Sequence, residues 1–158
     1  MYFKKFKFKK IKSTNETAIR LIKKNKIQSG MVVAETQCKG KGQYGRKWIS
    51  YKGNLHVSFF HELSKKNFSI KRITKINCLL VRILLSKYIK KKIIYKKPND
   101  LLIENKKISG ILQEIIFISK KVFLITGIGI NIIKNPIIKK YPATNMCELT
   151  KKSINKVE

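Results

Sequence analysis

Apolar residues alternate with lysines near the start of the chain, over residues 6–12, and this period of two predicts a β-strand. The lysines are typical of an exposed sheet edge, where charge discourages pairing with another chain. The same alternation, or a short apolar run closed by turn formers, recurs along the chain. It predicts further strands over residues 31–36, 54–60, 93–96, 101–104, 108–118 and 122–132. Polar segments between the later strands predict turns over residues 97–100, 105–107 and 120–121.

Two stretches have helical spacing instead. Ser13, with Glu16 three residues later, has the pattern of a capping box at the start of a helix that Gly30 should end. A longer helix is predicted over residues 69–92. Its apolar residues Ile73, Ile76, Leu80, Ile83, Leu84 and Tyr88 have helical spacing, and it is the longest predicted helix. The segment after Lys134 has neither period and is predicted to be irregular.

Strands outnumber helices in this pattern, and most of them follow one another directly. That order favours an α+β fold, with a mixed, mainly antiparallel β-sheet packed with helices, over strict alternation of strands and helices. No internal repeat and no linker rich in Pro, Gly or Ser divides the sequence, so a single domain spanning residues 1–158 is predicted.

The formal net charge of +29 predicts attraction to anionic partners, and one interpretation is a nucleic-acid-binding module. However, 33 of the 37 basic residues are lysines, spread along the whole chain, and isoleucine is nearly as abundant with 26 residues. An AT-rich coding sequence imposes this bias on any protein. Arginine, which makes bidentate contacts with bases and phosphates, is scarce. The charge alone therefore does not identify the partner.

No stretch has the pattern of a signal peptide, and the longest apolar runs are far too short for a membrane span. We therefore predict a cytoplasmic protein that does not contact a membrane. The three cysteines are widely spaced and lie far from the two histidines, His56 and His61. This arrangement fits neither a disulfide framework nor a zinc site, and no metal-binding residues are predicted.

The segment KGKGQYGRKW, residues 39–48, places Gly40, Gly42 and Gly45 in the spacing of a dinucleotide-binding fingerprint. A Rossmann site needs a helix directly after these glycines, but the residues that follow alternate like a strand. The loop is therefore predicted to join two strands. From the residues alone two interpretations remain open. The loop is either a surface connection or a flexible cationic loop that holds an anionic ligand.

Five motifs, in this order, resemble those of the catalytic domain of biotin protein ligases. They are STN at 13–15, AETQCKGKGQYGRKW at 34–48, KPND at 97–100, KKISGILQE at 106–114 and GIGIN at 127–131. The resemblance covers residues 11–133 and implies the biotin/lipoate ligase fold, which is similar to that of class II aminoacyl-tRNA synthetases. It also implies that ATP, with Mg²⁺, and biotin are substrates. The implied reaction forms biotinyl-5′-AMP and then transfers biotin to a lysine of a biotin carboxyl carrier protein.

The resemblance also implies which residues bind the substrates. The polar ureido ring of biotin would be faced by Ser13, Thr14, Asn15 and Gln37. The lid over biotin and its carboxyl end would comprise Gly40, Lys41, Gly42 and Gln43. Further binding residues would be Trp48 against the adenylate or the biotin tail, Gly110 at a close backbone approach, and Asn131 at the adenine edge.

Three residues would carry the chemistry. The resemblance implies that Lys107 contacts the biotin carboxylate and the nascent adenylate, and that Arg46 meets phosphate. Asp100 is either a turn residue or a group that orients the adenylate or the incoming lysine. Three positions depart from the family pattern: Lys41 replaces an arginine, which keeps the charge but loses the planar guanidinium, Gln43 removes a cation from the lid, and Lys97 replaces the usual tryptophan before PND.

Only 12 residues precede STN, so neither an N-terminal winged-helix domain nor a DNA-bound role is expected. The chain also ends before the usual C-terminal SH3-like domain, so we expect a catalytic domain truncated at its C-terminus. The implied protein partner is the biotin carboxyl carrier domain of a carboxylase, and a homodimer through exposed sheet edges stays open. Alternatives are a lipoate or octanoate ligase or transferase, whose R-R-x-x-G-G-G motif is absent here, and an inactive ligase.

Overall fold

The structure is a computed structural model that describes residues 3–63, 69–138 and 141–150. Its strands are β1 (Lys4–Ile11), β2 (Ser29–Gln37), β3 (Leu55–Leu63), β4 (Ile94–Lys96), β5 (Asp100–Ile103), β6 (Lys106–Ile118) and β7 (Lys121–Ile130). Its helices are α1 (Thr14–Asn25), α2 (Ile70–Ser86) and α3 (Met146–Thr150). The last residues of the predicted domain, 151–158, lie outside the described part.

All seven strands form one sheet in the order β1-β2-β3-β7-β6-β5-β4. β1 pairs with β2 in parallel, and every other neighbouring pair in this sheet is antiparallel. The predicted α+β class, with a mixed and mainly antiparallel sheet, is therefore confirmed. The predicted strands all occur, although their ends are displaced by a few residues. β1 lies at a sheet edge, as its lysines predicted.

Helices α1 and α2 cover opposite faces of the sheet. On β7, Phe123 and Ile125 belong to the apolar cluster with α1, whereas Ile130 belongs to the cluster with α2. Successive side chains on a strand point to opposite faces, so odd-numbered residues of β7 face α1. Gly127 and Gly129 continue this odd row toward the end of β7. The α1 face therefore lacks side chains on this strand at the point where a site could form.

Helix α1 begins where the sequence predicts and ends earlier. Ser13 is the N-cap, and its Oγ accepts a hydrogen bond from the Glu16 N–H at 3.5 Å. The helix ends because Lys26 adopts the left-handed conformation with φ 53°. The prediction that Gly30 ends the helix is wrong, because Gly30 lies inside β2. A side chain there would come within 3.0 Å of the Phe60 ring, so packing requires the glycine.

Helix α2 forms as predicted but ends at Ser86 rather than at residue 92. Its buried residues are Thr74, Cys78, Val81 and Leu85. The apolar residues Ile76, Leu80, Ile83, Leu84 and Tyr88, whose spacing predicted the helix, are exposed. Both rows have helical spacing, and packing against the sheet selects the row with the smaller side chains. Thr74 tolerates burial because its hydroxyl donates to Gln113 Oε1 at 2.5 Å.

Two turns and the final segment also differ from prediction. The β5–β6 turn is formed by Glu104 and Asn105, with φ values of 48° and 62°, one residue earlier than predicted. Positive φ at both positions is what a two-residue hairpin turn requires. The β6–β7 turn likewise begins one residue early, at Ser119, with φ 54°. The segment after Lys134 is not wholly irregular, since it contains α3. No helix in the described part is long and apolar enough to cross a membrane.

Candidate active site

A cleft of about 400 Å³ opens where α1 begins, β2 and β7 end, and β6 begins. Thirteen of the fourteen residues that the sequence implicated line it. They are Ser13, Thr14, Asn15, Gln37, Lys41, Gly42, Gln43, Arg46, Trp48, Asp100, Lys107, Gly110 and Asn131. The exception, Gly40, lies at the base of the loop that borders the cleft. Segments far apart in the sequence thus meet in one place, as the resemblance predicts.

The N-terminus of α1 forms a polar end of the cleft. The N–H and Oγ1 of Thr14 both donate to Gln37 Oε1, at 2.7 and 3.1 Å. Because that oxygen is occupied, the amide nitrogen of Gln37 is the group left to donate to a ligand. Ser58, on β3, places its Oγ 2.7 Å from Thr14 Oγ1 and so helps to hold the Thr14 side chain against Gln37. Ser13 is almost fully buried beside them as the helix cap.

Asn15 is held by partners from two strands. Its Nδ2 donates to Glu114 Oε2 at 2.7 Å, across 99 residues of sequence. Its Oδ1 accepts from Ser58 Oγ at 2.5 Å, which fixes which side of the amide is the donor. At Gly127 a Cβ would lie 3.1 Å from Asn15 Cγ, so the glycine provides the volume that the amide occupies. The second N–H of Asn15 Nδ2 is thereby oriented as a donor for a ligand carbonyl.

Residues 40–48 form a narrow hairpin, called here the lid. The Trp48 N–H donates to Gly40 O at 2.9 Å, and the Gly42 N–H donates to Arg46 O at 2.7 Å. A 3₁₀ turn, Gln43–Gly45, forms its tip. At Gly40 a Cβ would lie 2.5 Å from Trp48 O, so only glycine permits this close approach of the two sides. The structure confirms that the loop joins two strands and does not open a Rossmann helix.

The lid contacts both walls of the cleft. On one side, Lys41 Nζ lies 2.7 Å from Glu16 Oε1, and this hydrogen bond raises the pKa of Lys41 above its ordinary value. On the other side, the guanidinium of Arg46 lies over the Tyr141 ring, 5.0 Å from its centroid. Lys41 and Arg46, both implicated from the sequence, are thus directed toward opposite walls.

The Trp48 ring lies on the floor of the cleft. At Gly129 a Cβ would be 2.5 Å from Trp48 Cε2, and at Gly110 it would be 3.0 Å from Trp48 Cζ3. The two glycines are direct partners on β6 and β7, and together they leave a flat space that the indole fills. The ammonium of Lys107 lies 5.5 Å from the ring centroid. Gly110 therefore provides volume for Trp48 and for the Lys107 side chain.

Lys107 and Asp100 form an ion pair in the cleft. Lys107 Nζ lies 2.7 Å from Asp100 Oδ1, and both side chains are mostly shielded from solvent. Asp100 begins β5, next to the strand that carries Lys107, so pairing of the two strands brings the charges together. Asp100 is therefore a charged group of the cleft.

Asn131 follows β7 and is almost fully buried. Its Nδ2 donates to Thr144 O at 3.2 Å, and its Oδ1 has no hydrogen-bond partner among the described residues. Gln43 Oε1 and Trp48 Nε1 are likewise buried and unpartnered within the described part of the chain. Buried polar atoms are almost always satisfied, so three such atoms around one cleft indicate a place where a polar ligand binds.

Several residues of the site were not found from the sequence. Glu114 and Ser58 hold Asn15, and Tyr141 holds Arg46. The Gln37 N–H donates to Ser50 Oγ at 2.9 Å, and Ser50 Oγ in turn lies 2.9 Å from His56 Nε2. Glu114 lies inside the motif KKISGILQE, which was the signal available for it. The other contacts depend on which strands become neighbours, and no local pattern reports that.

The charges that line the cleft favour an anionic ligand. Four cationic side chains line it, Lys41, Arg46, Lys47 and Lys107, against the single carboxylate of Asp100. No group of three His, Cys, Asp or Glu side chains among the described residues could hold a metal ion. The three cysteines are free, which agrees with the predicted lack of disulfides.

Known proteins resemble the chain over most of its length. The model of the biotin/lipoate A/B protein ligase family matches residues 7–131. The bifunctional ligase/repressor BirA of Escherichia coli is 33% identical over 107 residues, which cover 66% of this chain and 33% of that protein. BirA of Bacillus subtilis is 31% identical over 132 residues, which cover 80% of this chain and 39% of that protein. The chain thus spans less than two fifths of the length of these relatives.

A similar structure is that of the biotin protein ligase from Aquifex aeolicus in complex with biotin and ATP. Its TM-score is 0.79 at 34% identity, and the match covers 98% of this chain and 64% of that chain. The resemblance to the catalytic domain of biotin protein ligases is therefore confirmed. Since the family model extends over far more than half of the sequence, the chain belongs to the biotin/lipoate A/B protein ligase family.

Proposed function

We propose that this protein adenylates biotin with ATP and transfers the biotinyl group to a lysine of a carrier protein. One observation carries the proposal. Thirteen residues implicated from separate motifs line a single cleft, which has polar donors at one end and four cations along its walls. Biotin has a neutral ureido ring at one end and a carboxylate at the other, so its two ends match those two regions.

In the first step a carboxylate oxygen of biotin attacks the α-phosphorus of ATP. The new bond is an oxygen–phosphorus bond, the bond to the β-phosphate oxygen breaks, and pyrophosphate leaves. A carboxylate is ionised at neutral pH, so the step needs no general base. It needs two anions to approach each other, and Arg46 and Lys107 supply the positive charge that offsets their repulsion.

In the second step the amine of a carrier lysine attacks the acyl carbon of biotinyl-5′-AMP. The carrier lysine attacks as the neutral amine; an amide forms, the bond from the acyl carbon to the phosphate oxygen breaks, AMP leaves, and the proton that the amine loses passes to solvent. Asp100 lies in the cleft 2.7 Å from Lys107, at a position from which its carboxylate can orient the incoming lysine. We assign Asp100 this orienting role and Lys107 the contact with the acyl phosphate.

The acceptor we propose is the biotin carboxyl carrier domain of a biotin-dependent carboxylase. The net charge of +29 would attract an acidic carrier to the cleft. ATP would bring Mg²⁺ with its phosphates, because phosphate oxygens are ligands that this ion prefers. We place this reaction in the cytoplasm, where the ATP and the carrier would be available.

Isotope exchange from pyrophosphate into ATP tests the first step directly. The purified chain is supplied with biotin, lipoate, octanoate or no acid, and exchange is expected with biotin alone. Lys107→Ala should abolish the exchange, whereas Lys106→Ala, the exposed neighbouring lysine, should leave it unchanged. Exchange with lipoate or octanoate but not with biotin would identify that acid as the substrate instead of biotin. A folded protein that exchanges with none of the acids would refute the adenylation activity.

A further inference from the structure

Besides Trp48, whose ring packs on Gly110 and Gly129 at the base of the lid, two side-chain contacts attach the lid to the rest of the protein. Its tip-side Arg46 stacks on Tyr141, which itself lines the cleft, so that contact is part of the site. The pair between Lys41 and Glu16 is different, because Glu16 does not line the cleft. Glu16 lies one residue beyond the STN motif, in the first turn of α1. It contacts the lid and has no place among the ligand-binding residues.

The backbone and the side chain of Lys41 have separate positions. Its backbone belongs to the hairpin that borders the cleft, where it forms a bridge with Lys47. Its ammonium is directed to Glu16 at 2.7 Å, on the outer side of the first turn of α1. Opening the lid would break this ion pair. Glu16 is therefore placed to hold the lid down without touching what lies beneath it.

We propose that Glu16 fastens the lid over the cleft through its ion pair with Lys41, and that it thereby sets how long the activated acyl group stays bound. This inference rests on the proposed function, because the molecule retained is biotinyl-5′-adenylate. That mixed anhydride is reactive toward water and toward any free amine. A lid that stays closed until the carrier arrives keeps the acyl group from being lost to either.

The expected change in the release rate of the adenylate follows from the solvent exposure of the Lys41–Glu16 ion pair. The Lys41 and Glu16 side chains are 45% and 38% exposed, so water and salt screen their attraction. Partly exposed ion pairs change an equilibrium by a factor of about five at most. Loss of the pair should therefore speed the release of the adenylate about two- to fivefold, and high salt should have a similar effect on the unsubstituted protein.

Trp48 provides the measurement, because it is the only tryptophan and lies on the cleft floor. Biotinyl-5′-adenylate is bound to the purified chain, an excess of biotin is added, and the release rate is followed by tryptophan fluorescence in a stopped-flow instrument. The test variant is Glu16→Gln. The matched control is Glu104→Gln, which removes an exposed ion pair of similar length, 2.8 Å to Lys91, on the β5–β6 turn.

A double-mutant cycle separates lid fastening from a general effect on α1. Glu16→Gln should speed release two- to fivefold in the unsubstituted protein and should have no further effect when Lys41→Gln is already present. Glu104→Gln should leave the rate unchanged. An equal or slower release from Glu16→Gln, or an increase that persists beside Lys41→Gln, would overturn this inference alone. An unsubstituted protein that binds no biotinyl-adenylate would overturn the proposed function together with it.

Discussion

Replacing Gly129 by alanine tests whether the glycines of β7 are needed for the volume of the Trp48 ring. Gly129 has no positive φ, so alanine is compatible with its backbone conformation. The added Cβ would lie 2.5 Å from Trp48 Cε2, whereas carbon atoms in contact are about 3.5–4.0 Å apart. The indole would therefore have to move by about 1 Å or leave the cleft floor.

The loss of stability expected from Gly129→Ala follows from overpacking, because the neighbouring strands hold the backbone on both sides of this residue. β7 lies between β3 and β6, so the strand has little freedom to move away from the ring. An extra carbon in such a place costs about 1–3 kcal/mol of the free energy of unfolding. In a domain of this size that lowers the melting temperature by about 2–12 °C. A misplacement of about 1 Å in the cleft should also slow pyrophosphate exchange about a hundredfold.

Thermal unfolding, the emission maximum of Trp48 and biotin-dependent pyrophosphate exchange are the three measurements. Gly110→Ala is the graded control, because its Cβ would lie 3.0 Å from Trp48 Cζ3 and 3.1 Å from the flexible end of Lys107. We expect a smaller loss from Gly110→Ala than from Gly129→Ala in all three. Unchanged emission and exchange in Gly129→Ala would refute the reasoning, since the ring would then not occupy this space.

Three further predictions follow from other parts of the structure. Ser50→Ala removes the acceptor of the Gln37 N–H. It should raise the KM for biotin several-fold without changing the KM for ATP. Steady-state kinetics that show only a lower kcat would contradict this prediction. Cys38 is exposed and should react with a thiol reagent at pH 8. Cys78 should react only after unfolding, because burial raises the pKa of its thiol to about 12 and keeps it protonated, which a timed thiol titration would check. Association with an acidic carrier should slow as salt rises, and a rate independent of salt would exclude electrostatic steering.

The positions of the strands along the chain and the start of α1 could be predicted because their signals are local. Alternation defines a strand, and the Ser13 cap defines where a helix begins, whatever the rest of the chain does. The rotation of α2 could not be predicted. Two rows of apolar residues have the helical period there, and the row that is buried includes Thr74. Its partner, Gln113, is 39 residues away, so the choice between the rows is a tertiary one.

The site shows the same division between local and tertiary information. The family resemblance implied fourteen site residues, and all of them except Gly40 line the cleft. The contacts that orient them were hidden, because each joins segments distant in the sequence. Glu114 reaches Asn15 across 99 residues, and Ser58 reaches it across 43. A motif lists the groups that face the ligand, while the groups that hold them are found only once the strand order is known.

The glycines of the motif GIGIN are explained only by the strand order and by the face of β7 on which they lie. Glycine is the residue that most readily adopts a positive φ, yet neither Gly127 nor Gly129 has one. Both lie on the odd row of β7, which faces α1, and the space above them is filled by the Asn15 amide and the Trp48 indole. Any side chain on that row would displace one of the two. The glycines therefore meet a requirement for volume on one face of a central strand, and the cleft exists because that face of the strand has no side chains at these two positions.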